Sequence, residues 1–127
     1  MLRQRILQGA ARSLWWVAGS SGRFHAKDYY DKLPQGEQRK LTALFEQVAG
    51  AGTILNRTRY RRESPNIHAF KSGKHRLYSF QEGRDVMLTN GYLKKTNNDK
   101  RLERALAMAE RIRVEYLDQQ REDHDGV

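Results

Sequence analysis

The chain has 127 residues, enough for one domain with a single modest core, and its 38% hydrophobic content and mean hydropathy of −0.90 imply a very polar surface. It has no cysteine, which excludes disulfides, thiolate catalysis and Cys-ligated zinc and suits a reducing cytoplasm. A net charge of +9 and a pI near 10.1 favour a polyanionic partner, and no apolar run approaches the roughly 20 residues of a membrane span.

Residues 1–12, "MLRQRILQGAAR", carry Arg3, Arg5 and Arg12 and no acid. They read as a basic N-terminal arm, with an organellar presequence as the alternative. "SLWWVAG" (13–19) is aromatic and β-branched and stops at Gly19-Ser20-Ser21-Gly22, which predicts a strand and then a loop. Residues 28–33 predict a helical turn ended by Pro34-Gln35-Gly36. From Glu37, the residues Leu41, Leu44, Phe45 and Val48 recur at i, i+3, i+4 and i+7, which predicts an amphipathic helix ending near Gly50-Ala51-Gly52.

The next segment is less regular and holds Arg57, Arg59, Arg61 and Arg62 before Ser64-Pro65-Asn66 breaks it. "IHAFKSGKHRLYSF" predicts a hairpin about Ser72-Gly73. "QEGR" turns the chain again into a strand from Asp85 to Leu93, apolar on both faces as a central strand should be. Asn98 and Asp99 are candidate N-caps for a last helix, in which Leu102, Ala105, Leu106, Ala109, Ile112 and Tyr116 share one face. The expectation is an α+β domain over residues 13–117 in the order β-α-α-β-β-β-α: a small antiparallel meander sheet, an N-terminal helical hairpin and a C-terminal helix. Residues 118–127 are expected to be an acidic, disordered tail.

The charge is unevenly spread. Residues 57–95 hold ten Lys or Arg against three acids, Glu63, Glu82 and Asp85. Three scattered carboxylates do not make a two-metal nuclease site. The four histidines lack metal-ligand spacing, no G-x-S-x-G surrounds a serine, and "AGAGT" lacks the lysine of a phosphate-binding loop. No metal and no cofactor is therefore expected. Metal-free RNA cleavage fits what remains. The RNA's own 2′-hydroxyl is the nucleophile, Arg and Lys hold the phosphate and its developing charge, and a His, Tyr or perturbed Lys moves protons.

A two-residue loop at Ser72-Gly73 pairs Lys71 with Lys74 and puts Lys71, Lys74, Arg76 and Tyr78 on one face. His68, Phe70, His75 and Leu77 then take the other. A three-residue loop would instead bring His68 beside Arg76 and Tyr78, as a candidate acid or base. Arg57, Arg59, Arg61 and Arg62 read as a polyanion contact, since no acid lies among them to screen them.

The stretch from His75 to Ile112 resembles the RelE/ParE superfamily of toxins of bacterial toxin–antitoxin systems, nearest its HigB-like, phage-derived branch. The residues that carry the resemblance are Arg76-Leu77-Tyr78, the apolar strand from Val86, Gly91-Tyr92-Leu93-Lys94-Lys95-Thr96, and Ala105. More loosely it extends from Leu14 to Tyr116. It implies the same element order and metal-independent cleavage of mRNA on the ribosome. It also implies neutralisation by a cognate antitoxin, often a helix-turn-helix protein. Arg76 matches the family's arginine near the scissile phosphate, Lys94 and Lys95 its basic residues after the last strand, and Arg61 or Arg62 a basic residue before the hairpin. RelE itself has two lysines on the strand before the hairpin. The ungapped match falls on Ile67 and Ala69, leaving His68 and Lys71 as the nearest basic groups. HigB proper has a His near the chain's end where this chain offers Tyr92 and lysines. The alternatives to a nuclease are a ParE-like inhibitor of a protein target such as gyrase and a non-catalytic RNA-binding accessory protein.

Overall fold

The computed structural model describes residues 2–95 and 100–125. Its elements run β1 (Arg3–Gln8), β2 (Ser13–Val17), α1 (His25–Asp31), α2 (Gln35–Ala51), β3 (Tyr60–Ser64), β4 (Ile67–Ser72), β5 (His75–Glu82), β6 (Asp85–Leu93) and α3 (Lys100–Asp125). The class is α+β, with one six-stranded sheet in the order β1-β2-β6-β5-β4-β3. From β3 to β6 the sheet is the expected antiparallel meander, but β2 joins β6 in parallel, so the sheet is mixed.

Both ends of the chain differ from expectation. Residues 3–8 are not a loose arm but an edge strand antiparallel to β2. Arg3 and Arg5 lie over the Trp15 ring at 4.2 and 4.8 Å, and Arg3 also reaches Asp85. Those cations are used in holding the strand down. The acidic end is not a tail either, since α3 continues to Asp125. The pairs Arg121–Asp118 and Arg113–Glu110, each i,i+3, supply local support that counting charge does not reveal. Of the Arg-rich segment, Arg61 and Arg62 lie on the other edge strand, β3, and Arg57 and Arg59 in the loop before it. The candidate caps Asn98 and Asp99 lie outside the described residues, as does Thr96.

Each face of the sheet covers its own core. Leu14, Trp16, Phe70, Leu77, Val86 and Leu88 pack against Ala26 of α1 and Leu41, Leu44, Phe45 and Val48 of α2. Val17, Ile67, Ala69, Tyr78, Phe80, Met87 and Tyr92 pack against Ala105, Ala109, Ile112 and Tyr116 of α3. The predicted apolar faces of α2 and α3 are the buried ones.

The β4–β5 loop is Gly73-Lys74, with Ser72 opposite His75. Gly73 has φ +58, and Gly83 has φ +60 in the matching loop Gly83-Arg84 between β5 and β6. A two-residue loop with glycine first suits the twist of the strands, and Ser72 in that first position would have been strained. Lys71 therefore pairs with Arg76 and not with Lys74. The register moves by two, so the expected division of faces survives.

Strand β6 changes which way it faces partway along. Tyr78 pairs with Asn90 but Ser79 pairs with Leu88, leaving Thr89 as a bulge. Before it, Val86 and Leu88 face α2. After it, Asn90 and Tyr92 lie on the α3 side. The Thr89 hydroxyl sits 3.2 Å from the Tyr78 carbonyl and 2.8 Å from Asn90 Oδ1, and can donate to either. Asn90 Nδ2 donates to the Ala105 carbonyl of α3 at 3.0 Å. The bulge also turns Gly91 toward α1, where a Cβ would lie 2.3 Å from Tyr29 Cγ. Only glycine leaves room for that ring. Gly91→Ala is expected to destabilise by about 1–3 kcal/mol through overpacking. Thermal unfolding should show a melting point several degrees lower, and the loss should shrink in a Tyr29→Ala background.

Candidate functional site

At one end of the sheet the β4–β5 hairpin tip gathers Lys71, Lys74, Arg76 and Lys94. Lys71 and Arg76 are cross-strand partners, and Arg76 is the partner of Tyr92, which makes a row across β4, β5 and β6 on the α3 face. Beyond it, the Lys94 N–H donates to the Lys74 carbonyl at 2.8 Å, so Lys94 extends the ladder past the end of β6. Lys94 is half-buried and Lys95 exposed. By alternation Lys94 continues the Tyr92 side. Arg76 Nη1 donates to the carbonyls of Gly73 at 2.7 Å and His75 at 3.0 Å, which folds its guanidinium onto the tip.

Glu63 changes the electrostatics that the sequence suggests. Its carboxylate lies 2.8 Å from Lys71 Nζ and 3.4 Å from Arg61. The Lys71 and Glu63 side chains are only 15% and 17% exposed, so this pair is held largely away from solvent screening. Two of the residues expected to contact a polyanion are thus partly neutralised from within. The arginine run has no acid inside it but has one next to it. Among the described residues, Arg57, Arg59, Lys74, Lys94 and Lys95 make no ion pair. Arg57 and Arg59 sit exposed in the loop before β3, and Arg62 is exposed on β3 beside His68.

His68 is not brought to Arg76. It pairs with Ser79, on the face opposite Tyr78, and stacks on the Tyr60 ring at 5.1 Å. Burial, then Arg62 and Arg12, push its pKa down, which keeps it neutral. Tyr78 shares the Arg76 face but is fully buried. Burial and the Glu63 charge push its phenol far above its usual value, so it holds its proton. The buried Tyr92 ring packs in the α3 core, at the edge of the site.

The hairpin tip has neighbours that sequence reasoning missed. Tyr29 of α1 has its hydroxyl 2.7 Å from His75 Nδ1, and Glu37 of α2 lies 3.8 Å from His75 Nε2. On the same side, a cleft of about 450 Å³ runs between α2 and the end of β4, lined in part by Lys40, Thr58, Arg59, Ser72 and Gly73. Nothing in the sequence marks Tyr29 or Glu37, because they lie 46 and 38 positions from His75 and meet it only through the docking of the helical hairpin.

Among the described residues, no group of three or more His, Asp or Glu could hold a metal ion, and no helix is long and apolar enough to cross a membrane. No protein-family model matches the chain, and a search of curated proteins finds no significant match.

His25 and His68 both have pKa values below the usual 6.5, chiefly through burial. On acidification the unfolded chain takes up these protons before the folded one does, so stability rises with pH there. The contribution is complete above about pH 7 and is lost as pH falls through the lowered folded values. The melting temperature should therefore drop between pH 7 and 5. His68→Phe, which keeps a ring on Tyr60, should make that drop smaller.

Proposed function

We propose that this protein is the toxin of a toxin–antitoxin pair, a metal-independent endoribonuclease that cleaves mRNA on the ribosome in the cytoplasm. The observation that carries the reading is the row Lys71–Arg76–Tyr92, extended by Lys94, at one end of the sheet. It unites the two sequence segments that resemble the RelE/ParE superfamily, Arg76-Leu77-Tyr78 and Gly91-Tyr92-Leu93-Lys94-Lys95. The element order from β2 onward, with β3 added at the sheet edge, is also compatible with the order which that resemblance implies.

In this reading the 2′-oxygen attacks the adjacent phosphorus and the 5′-oxygen leaves, giving a 2′,3′-cyclic phosphate and a 5′-hydroxyl. Arg76 meets the scissile phosphate with the N–H groups not turned toward the hairpin carbonyls. Lys94 adds charge from β6, and Lys71, tethered to Glu63, is held in position beside Arg76. Fixed donors of this kind stabilise the additional charge of the transition state without reorganisation. Arg57, Arg59, Arg62, Lys74 and Lys95, all exposed, track flanking phosphates or ribosomal RNA. A cognate antitoxin, of helix-turn-helix type in the HigB branch, covers this end of the sheet and neutralises it.

Induced expression should arrest growth, and primer extension should find new 5′ ends inside translated codons. Arg76→Ala should abolish those ends, with a loss of about 10²–10³-fold in cleavage rate, as for removal of one transition-state donor. Growth arrest with intact transcripts would refute the nuclease reading, and inhibition of supercoiling by the purified protein would replace it with the gyrase-type alternative.

A further inference from the structure

We infer that Tyr29, His75 and Glu37 form a proton relay at the hairpin tip, in which Tyr29 accepts the 2′-hydroxyl proton of the RNA. The inference rests on the nuclease reading and supplies the general base that the cationic row lacks. Arg and Lys are protonated at neutral pH and cannot take that proton. The other candidates on the sheet are withdrawn: His68 shares the His75 face but lies well back from the hairpin tip, opposite Ser79 and stacked on Tyr60, and Tyr78 is sealed in the α3 core.

The three side chains are placed in series. The Tyr29 ring lies over Gly91 and reaches along the sheet to bring its hydroxyl 2.7 Å from His75 Nδ1. With Nδ1 accepting from the phenol, Nε2 carries the ring's proton and faces Glu37 Oε2 at 3.8 Å. At that distance the carboxylate is not hydrogen-bonded to the ring, and its part is to stabilise by charge the imidazolium that forms, as the carboxylate of a nucleophile–His–carboxylate triad does. His75 is next to Arg76 in sequence and its carbonyl accepts from the Arg76 guanidinium at 3.0 Å. His75 and Arg76 point to opposite faces of β5, so the relay and the phosphate-binding arginine meet at the hairpin end, where the guanidinium folds onto the Gly73 and His75 carbonyls. Burial raises the Tyr29 phenol's pKa, and the Arg76 charge opposes that rise.

The step balances as follows. The 2′-O–P bond forms while the 2′-hydroxyl proton passes to the Tyr29 oxygen and the Tyr29 proton passes to His75 Nδ1. The P–O5′ bond breaks, and the leaving oxygen takes a proton from water. His75 then releases its proton to solvent through Tyr29, restoring the neutral ring. The charged and titratable groups at His75 are Tyr29 from α1, Glu37 from α2, whose other carboxylate oxygen lies 3.4 Å from Lys40 Nζ, and Arg76 on its own strand. Its partners on β4 and β6 are Ser72 and Leu93, which carry no charge.

The test is single-turnover cleavage of mRNA on programmed ribosomes by the native chain and by Tyr29→Phe, His75→Gln and Glu37→Gln, with ribosome binding and thermal melting measured for each. Tyr29→Phe is expected to slow cleavage by about 10²-fold or more at unchanged ribosome affinity, as for loss of a general base. His75→Gln keeps an acceptor for the phenol but cannot take its proton. It should lose a similar factor. Glu37→Gln should have the smallest effect. The double variant Tyr29→Phe/His75→Gln should be no slower than the worse single variant. Native rates in a folded Tyr29→Phe or His75→Gln protein would overturn the relay and leave the nuclease reading standing. Absence of cleavage by the native chain would overturn both. If Tyr29→Phe does not fold, His75→Gln decides the question.

Discussion

The single extra residue at Thr89 is the constraint on which the rest of this molecule depends. Strand β6 lies between β2 and β5 and has helices over both faces, so the side chains between its two ends must belong to one core or the other. The bulge reassigns its second half. It puts Asn90 against the Ala105 carbonyl of α3, brings Tyr92 opposite Arg76, and presents the bare backbone of Gly91 to the Tyr29 ring. A regular strand would send Tyr92 under α1 and Gly91 under α3. Neither the cationic row nor the contact that positions Tyr29 would then exist. A polar network buried with its partners in place is a costly feature to disturb, and here it fixes the one irregularity that the site requires.

How much of this was legible in the sequence depends on the range of the interaction concerned. The helices α2 and α3 were readable because their apolar residues repeat at 3.6, and the strands β4 to β6 because tight turns join them. The division of hairpin faces was readable too, although the loop was misplaced by one residue. Periodicity survives a register shift of two. The parallel pairing of β2 with β6 was not readable, since nothing local in "SLWWV" names a partner some seventy residues away. Edge strand β1 was hidden by its arginines, which look like an arm until Trp15 is placed beneath them.

The candidate site was legible as a composition and only partly as a geometry. Arg76, Lys71, Tyr92 and Lys94 do converge, and the Arg59 carbonyl accepts from the Lys71 N–H at 2.7 Å beside them, while Arg62 and His68 lie on the other face of the sheet. Glu63 shows why counting charges misleads. One carboxylate at the end of the arginine run holds both Arg61 and Lys71. The tyrosine and glutamate at the hairpin tip come from helices that no spacing argument links to β5.

The two edges of the sheet carry a further consequence. β1 ends one side with Arg3 and Arg5, and β3 ends the other with Arg61 and Arg62. Unpaired strand edges invite other strands to add to them, and a row of like charges discourages this. The arginines of β3 therefore disfavour strand addition at that edge, besides the polyanion contact proposed for them. Neutralising them to probe nucleic-acid contact removes both functions at once. A loss of activity on that edge has meaning only when the variant is still shown to be dispersed in solution.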